Sequence, residues 1–116
     1  MSRVLVDTDV LIDHLRGARR LTVDESIEGC CSVMTRLELF VGRVADEPRV
    51  ETLLRGFVHV DVDSGIAAEA GRLRRDTRLD VPDAVIAATA LIHKLPLLTR
   101  NWRHFSRVKG LSRYQA

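Results

Sequence analysis

The chain reads Val4-Leu5-Val6-Asp7-Thr8-Asp9-Val10-Leu11-Ile12-Asp13 near its start, and this segment carries its clearest structural signal. The first three residues form a β-branched and aliphatic run, which is typical of a buried strand. Thr8 or Asp9 is then expected to cap a helix that Gly17 ends. The strand therefore delivers Asp7 to its carboxyl end, where open α/β sheets bind their ligands. In that place Asp7 either caps the following helix or holds a cation.

The composition predicts one globular domain spanning residues 1–116. This length suffices for a single core, and 46% hydrophobic with 29% charged residues is typical of globular rather than disordered chains. No apolar run approaches about 20 residues and no export signal is present, so neither a membrane span nor secretion is predicted. Cys30 and Cys31 are adjacent and suit no zinc spacing, so we expect packing thiols in a reducing cytoplasm.

Charge is distributed unevenly along the chain, although the net charge is only +2. All 16 acidic residues lie within the first 83 positions. The residues after Asp83 include only bases among the charged types, namely Lys94, Arg100, Arg103, Arg107, Lys109 and Arg113. An acidic body with a basic tail suggests a polyanionic partner that is brought near carboxylates. A solvated basic edge explains the same pattern equally well.

Strand and helix patterns alternate along the chain. Further strands are predicted at 30–34, 58–62 and 96–99, with a final edge strand at 108–111. Helices are predicted after a capping box formed by Thr35 and Glu38, from Pro48, from Ser64 and around Pro82, with shorter ones at 19–28 and 103–105. The helix from Ser64 is expected to bury Ile66, Ala67, Ala70, Gly71 and Leu73. The alternation predicts a mostly parallel sheet of four to five strands with helices on both faces.

Three carboxylates occupy comparable places in this predicted sheet. Asp7 and Glu38 follow buried strands, and Asp83 lies in the first turn of a buried helix. A turn, a capping box and a helix N-terminus would explain them structurally. If the sheet gathers all three at one edge, their repulsion requires a proton or a neutralising cation, and oxygen ligands suit Mg²⁺ or Mn²⁺. Such a metal activates water for attack at a phosphodiester, which agrees with the basic tail.

Four segments together resemble the successive motifs of PIN-domain proteins. They are residues 4–12, Thr35-Arg36-Leu37-Glu38-Leu39, Pro82-Asp83-Ala84-Val85-Ile86-Ala87-Ala88-Thr89-Ala90 and Leu98-Thr99-Arg100-Asn101-Trp102-Arg103-His104-Phe105. The likeness runs from Val4 to about Leu111 and is greatest to the VapC toxins of bacterial VapBC toxin–antitoxin pairs. It implies a three-layer α/β/α sandwich around the central sheet.

The resemblance also implies an activity and partners. It implies a Mg²⁺- or Mn²⁺-dependent endoribonuclease that hydrolyses RNA as the toxin of a type II pair. It implies a homodimer and a cognate antitoxin that covers the active site, with larger assemblies of the two. Asp7, Glu38 and Asp83 match the family's acidic positions, whereas the fourth position, often Asp, is the uncharged Asn101. We therefore expect one divalent ion to bind well and a second to bind weakly or only with substrate.

Other polar residues are assigned supporting roles. Thr8 and Thr99 are expected to orient a carboxylate or a water, although turn hydroxyls explain them equally well. Arg100, Arg103 and Arg107 are expected to flank the site and contact RNA phosphates.

The remaining polar residues are interpreted structurally. Asp9 and Asp80 are interpreted as helix caps, and Asp13 is placed on an exposed helical face. Trp102 is expected to pack against the last strand rather than stack on a base. Three histidines have no partner pattern and are interpreted as ordinary surface or edge residues: His59, His93 and His104.

Two alternatives remain open from the sequence. A strand followed by Asp7-Thr8-Asp9-Val10 also fits the opening motif of haloacid-dehalogenase-like phosphatases, in which the first Asp is a nucleophile. Those enzymes need a lysine and a later acidic pair, whereas the only lysines here are Lys94 and Lys109 and no acid follows Asp83. The other alternative is a PIN-like nucleic-acid- or partner-binding module that acts through a DNA-binding partner and cleaves little.

Overall fold

A four-stranded parallel sheet forms the centre of the computed structural model, which describes residues 2–19, 21 and 24–115. The strands are β1 (Ser2–Val6), β2 (Ile27–Ser32), β3 (Val58–Val60) and β4 (Leu97–Leu98). Their order across the sheet is β3-β2-β1-β4, with parallel pairing throughout. The predicted sheet of four to five parallel strands is confirmed with four.

Helices cover both faces of this sheet. They are α1 (Thr8–Leu15), α2 (Val33–Phe40), α3 (Glu47–Leu54), α4 (Ser64–Thr77), α5 (Val81–His93) and α6 (Trp102–Phe105), with a 3₁₀ turn at Val44–Asp46. Val4 and Val6 of β1 pack with α1, α2 and α3, whereas Leu5 packs with α4, α5 and α6. Side chains alternate between faces along a strand, so both sides of β1 are covered and the expected three-layer sandwich is confirmed.

Helix α1 begins one residue earlier than the sequence predicted. Asp7, rather than Thr8 or Asp9, is the N-cap, and its carboxylate accepts a hydrogen bond from the Thr8 backbone N–H. Gly17 follows the helix with a φ of 71°, a conformation that glycine adopts without strain. The two sequence readings of Asp7, a helix cap and a residue facing a binding crevice, therefore apply to the same side chain.

The capping box predicted for α2 is wrong. The strand before it ends at Ser32, and the Ser32 hydroxyl accepts from the Met34 backbone N–H, so the helix begins at Val33. Thr35 consequently lies inside the helix, where it is fully buried. Glu38 lies near the end of α2 and is free for contacts outside its own helix.

Several other predicted boundaries differ from the structure. The short helix at 19–28 is absent from its described residues, which include the start of β2, while residues 20, 22 and 23 lie outside the described part of the chain. The final edge strand at 108–111 is also wrong, since a single bridge joins Leu97 to Arg113 instead. Asp63 rather than Ser64 caps α4. Ala67 and Gly71 of that helix are exposed, not buried.

Other structural predictions are confirmed. Pro48 and Pro82 each lie in the first turn of a helix, and the positions from Ala84 to Ala90 in α5 are buried throughout. Trp102 packs against the apolar cluster under α5, and the Arg113 guanidinium lies 5.6 Å from its ring centroid. Within the described ranges, no helix is long and apolar enough to cross a membrane.

The strand order creates a crevice beside β1. The chain builds β2 and β3 on one side of β1 and returns to the other side for β4, so the connections diverge there. The Asp7 backbone N–H donates to the Leu98 carbonyl over 2.9 Å and holds the two strand ends together. The residues that follow β1 and β4 therefore meet at one edge of the sheet.

One matched pair of substitutions tests this packing. Ala87→Leu inserts three carbon atoms into a completely buried position of α5 and should cost about 1–3 kcal/mol of the free energy of unfolding. Ala67→Leu makes the same change at an exposed position of α4 and should stay within about 0.5 kcal/mol. Urea denaturation of both variants measures the difference. Equal losses would contradict the assignment of Ala67 to the surface.

Candidate functional site

A small pocket of about 200 Å³ opens at the carboxyl ends of β1 and β4. Four carboxylates, one amide and one imidazole border it, together with a threonine and two apolar side chains: Asp7, Asp9, Glu38, Asp83, Asn101, His104, Thr8, Ile12 and Phe105. The four sequence-predicted ligand positions are all among them. The sheet edge therefore brings together carboxylates from three separate helices or their caps.

Asp7 is the most buried acid of the pocket, with only 6% of its surface exposed. Its Oδ1 accepts from the Thr8 backbone N–H over 2.8 Å, and its Oδ2 accepts from the Thr99 hydroxyl over 2.9 Å. Burial and the nearby Asp9 carboxylate raise the pKa of Asp7 to about 7, although both hydrogen bonds oppose the shift. Near neutral pH, without a cation, this carboxyl group is therefore divided between its two protonation states.

Glu38 reaches the pocket from α2 and is held by a threonine. The Thr8 hydroxyl donates to Glu38 Oε1 over 2.7 Å and lies 2.9 Å from the hydroxyl oxygen of the buried Thr35. A fixed carboxylate is thus supported by two hydroxyl groups in series. The Thr8 hydroxyl orients Glu38 and the Thr99 hydroxyl orients Asp7, which are the contacts expected for carboxylate-orienting threonines.

Asp83 enters from the first turn of α5, beside His104 and Asn101. His104 Nδ1 lies 3.4 Å from Asp83 Oδ2, and Asn101 Nδ2 lies 3.1 Å from both ring nitrogens of His104. Burial raises the pKa of Asp83 while His104 opposes the shift. The interpretation of His104 as a surface or edge residue agrees with its exposure, but the sequence did not predict that its ring borders the pocket.

Asp9 is the other pocket residue whose place the sequence interpretation missed. Its carboxylate accepts from the Arg100 backbone N–H over 3.3 Å and lies 3.3 Å from the Thr99 hydroxyl oxygen, whose single proton is donated to Asp7. Burial raises the pKa of Asp9. Asp9 therefore ties α1 to the turn after β4, and its interpretation as a helix cap is wrong, since Asp7 is the N-cap. Its spacing from Asp7 was the one available signal, since two residues at a strand-to-helix turn can face one crevice.

The pocket suits a hard divalent cation that keeps part of its water shell. The side chains offer carboxylate and amide oxygens, which Mg²⁺ and Mn²⁺ prefer, and a cation would favour the charged form of Asp7, whose pKa is raised mainly by burial. Over residues 2–19, 21 and 24–115, no three His, Cys, Asp or Glu side chains lie close enough to hold an ion together directly. Binding through one or two carboxylates plus water fits this arrangement, as is usual for Mg²⁺. Direct ligation by Asp7, Glu38 and Asp83 together stays a prediction.

The predicted phosphate-binding arginines fall into two groups. Arg100 Nε lies 3.6 Å from Asp13 Oδ2, its side chain is only 23% exposed, and it points along α1. Arg103 and Arg107 are exposed and line a second cavity that adjoins the acidic pocket. The Arg100 side chain is therefore paired within the protein, whereas Arg103 and Arg107 are free to contact a ligand.

The raised pKa of Asp7 predicts how the stability of the metal-free protein depends on pH. The folded pKa of about 7 exceeds the ordinary 3.8, so the folded state binds the proton more tightly. The resulting stabilisation is complete below the pKa that Asp7 has in the unfolded state. It is lost as the pH rises through the pKa that Asp7 has in the folded state. Between these two pKa values the free energy of unfolding should fall by up to about 1.4 kcal/mol per pH unit. Asp7→Asn should flatten this decline.

Urea denaturation in chelator across this pH range provides the measurement. Asp61→Asn is the matched control, because Asp61 is exposed and does not line the pocket. The control should keep the full slope of the unmodified protein. An equally steep slope in Asp7→Asn would assign the pH dependence to other groups.

The sequence of this chain is similar to those of known proteins over almost its whole length. The family model "PIN domain" matches residues 4–111. The chain is 37% identical to ribonuclease VapC19 of Mycobacterium tuberculosis, over 87% of this chain and 90% of that protein. It is 35% identical to ribonuclease VapC1 of Methanocaldococcus jannaschii, over 97% and 88%.

Solved structures show the same similarity. A DNA-bound VapBC complex from Salmonella typhimurium contains a chain that matches with a TM-score of 0.84 at 25% identity, covering 98% of both chains. A toxin–antitoxin complex from Klebsiella pneumoniae matches with a TM-score of 0.77 at 30% identity, covering 97% of this chain and 99% of that one. With a parallel α/β/α sandwich and an acidic pocket at its strand ends, the chain belongs to the PIN-domain family.

Proposed function

We propose that this protein is a divalent-metal-dependent endoribonuclease and the toxin of a type II toxin–antitoxin pair. The observation that supports it most strongly is a buried, hydrogen-bonded Asp7 facing three further carboxylates in one pocket of a PIN domain. Such a concentration of negative charge would repel RNA in the absence of a cation. Two of its relatives are named ribonucleases, which supports the same activity.

Asp7, Glu38 and Asp83 are the proposed metal-binding residues, one or two of them as direct ligands and the rest through the water shell of the ion, with Asn101 as a weak ligand or one that acts through water. A bound Mg²⁺ or Mn²⁺ supplies an activated water and neutralises charge at the phosphoryl centre. Asp7 offers the lone pairs that its two hydrogen bonds leave free. Thr99 and Thr8 fix the orientations of Asp7 and Glu38, so less freedom is lost when a ligand binds.

The electrostatic contrast around the pocket supports an RNA substrate. The pocket itself is acidic, whereas the exposed Arg103 and Arg107 lie beside it on and after α6. Arginines can hold RNA phosphates while the acidic pocket receives the bond to be hydrolysed. Arg100 contributes mainly by fixing the turn after β4, because its side chain pairs with Asp13.

An antitoxin partner and a homodimer belong to the same proposal. The similar chains from Klebsiella pneumoniae and Salmonella typhimurium come from toxin–antitoxin complexes, the second of them bound to DNA. We also propose a cytoplasmic location. Cys30 and Cys31 are buried free thiols, and burial raises the pKa of Cys31 to about 11, which suits packing in a reducing compartment.

The alternatives from the sequence have less support. A phosphatase would use Asp7 as a covalent nucleophile, but both oxygens of Asp7 accept hydrogen bonds and family membership gives no support for an aspartyl-phosphate. A binding module that cleaves little would contain the same fold and charges. Activity measurements separate it from the nuclease.

RNA cleavage by the purified protein tests the proposal. The unmodified protein should cleave RNA with Mg²⁺ or Mn²⁺ and stop when chelator is added. Asp7→Asn and Asp83→Asn should each lower the rate of RNA cleavage by more than about a hundredfold. Even the loss of a group that only orients a metal ligand lowers metal affinity or activity by about 10–100-fold. Both variants should still fold, since the amide replaces the acid with little change of shape.

Asp61→Asn is the control for loss of a carboxylate elsewhere on the surface and should cleave normally. Circular dichroism and thermal denaturation check that each variant is folded. Full activity of both pocket variants would place the chemistry elsewhere. A folded, unmodified protein that binds RNA but never cleaves it would favour the binding module.

The number of bound ions depends on pocket charge. The sequence predicted three carboxylates and one tightly bound ion, but Asp9 adds a fourth carboxylate to the pocket. Asn101→Asp should still strengthen a second site, since it adds a charge with almost the same shape. Asp9→Asn should weaken it for the opposite reason.

Calorimetric titration with Mn²⁺ measures both variants against the unmodified protein. Asp61→Asn removes a charge from an exposed residue outside the pocket lining and is the control. If the stoichiometry and both affinities stay unchanged in Asn101→Asp and Asp9→Asn, pocket charge does not set the metal count.

A further inference from the structure

We propose that the second cavity, which adjoins the acidic pocket, binds a phosphate of single-stranded RNA next to the bond being cleaved, and that Arg78 is one of its phosphate-binding residues. This inference rests on the proposed nuclease function. It adds Arg78, which directly follows α4, to the arginines already proposed to contact RNA.

The two cavities share a wall. The second one has a volume of about 310 Å³ and is lined by Arg78, Arg103 and Arg107 together with Asp80, Asp83 and His104. Asp83 and His104 also border the acidic pocket. A strand of RNA with one phosphate in the acidic pocket therefore passes directly over the second cavity.

The charges of the second cavity suit an anion. Its three arginines are exposed, and none of them forms an ion pair with the residues that the structure describes. Two carboxylates also line this cavity. Asp80 is exposed, and Asp83 also borders the acidic pocket. By contrast, Arg72 and Arg75 of α4 each lie near an acidic side chain, Glu69 and Asp76 respectively. Three exposed arginines without an ion pair thus line one cavity, where α4 ends and α6 begins.

The turn that ends α4 fixes where the Arg78 side chain begins. Arg78 caps α4 in the left-handed conformation with a φ of 63°, where glycine would avoid the strain. The chain is anchored on both sides of it: the Thr77 hydroxyl donates to the Leu73 carbonyl over 2.5 Å, and Arg74 Nε donates to the Leu79 carbonyl over 3.1 Å. This turn fixes the base of the Arg78 side chain at the cavity.

Lys94 offers a matched control. It caps α5 in the same left-handed conformation, with a φ of 54°, and it is exposed and positively charged. It lines neither the acidic pocket nor the second cavity. Lys94→Gly and Arg78→Gly therefore remove the same charge and relieve the same backbone strain, but only Arg78→Gly removes a cation from the proposed phosphate site.

Binding of a short fluorescein-labelled single-stranded RNA of mixed sequence tests the proposal. Fluorescence anisotropy in chelator measures affinity at several salt concentrations without cleavage, and cleavage with Mg²⁺ is measured in parallel. Arg78→Gly should weaken binding by a factor of about two to ten, as for one net hydrogen bond, and should reduce the slope of log affinity against log salt by about 0.7. Lys94→Gly should leave both unchanged. Neither variant should lower the thermal midpoint.

The outcomes separate this inference from the proposed function. If the unmodified protein cleaves RNA while Arg78→Gly binds as tightly as Lys94→Gly, the phosphate site is wrong and the nuclease stands. If Arg78→Gly alone weakens binding of a protein that never cleaves, the site stands and the nuclease is wrong. Equal weakening by both variants would mean general electrostatic attraction and overturn the site, as would a protein that binds no RNA. Rescue by Arg78→Lys would confirm that the cation itself is required.

Discussion

The hydrogen bond from the Thr99 hydroxyl to the Asp7 carboxylate joins the two strand ends on which the pocket depends. Thr99 follows β4 and Asp7 follows β1, and the neighbouring backbone bond from Asp7 N–H to the Leu98 carbonyl fixes their separation. Since the Thr99 oxygen also accepts from the Asn101 backbone N–H, one hydroxyl group aligns both sides of the crevice. Without this contact the carboxylate would keep its burial but lose one of the two bonds that favour its charged form.

Stability and function make opposite demands on this edge of the sheet. A protein selected only for stability would not bury Asp7 near Asp9 and Asp83, because each neighbouring charge makes ionisation harder. The rest of the fold offsets this cost. Leu5, Val6 and residues 84–90 of α5 are almost completely buried, so the carboxylates at the ends of β1 and α5 lie on a tightly packed core.

The sequence predicted the sheet well because strands and buried helices have strong local periodicities. It predicted Asp7, Glu38 and Asp83 as neighbours from their places after strands or at a helix start. It missed Asp9 and His104, whose positions depend on how α1 and α6 approach each other across 90 or more residues. The Thr35 capping box failed for a related reason, since Ser32 supplied a competing cap three residues earlier. Local patterns do not resolve such competition, nor do they indicate that Arg100 turns towards Asp13.

The order of the strands also sets the time at which the pocket can exist. Strand β1 lies in the interior of the sheet but is synthesised first, whereas its neighbour β4 and the pocket residues Asn101 and His104 come from the last part of the described chain. The Thr99–Asp7 bond spans 92 positions in sequence. A nascent chain on the ribosome therefore has no complete pocket until almost all of these residues have emerged, and long-range closure of this kind is a slow step in folding. Translation itself delays the appearance of a site that would act on RNA.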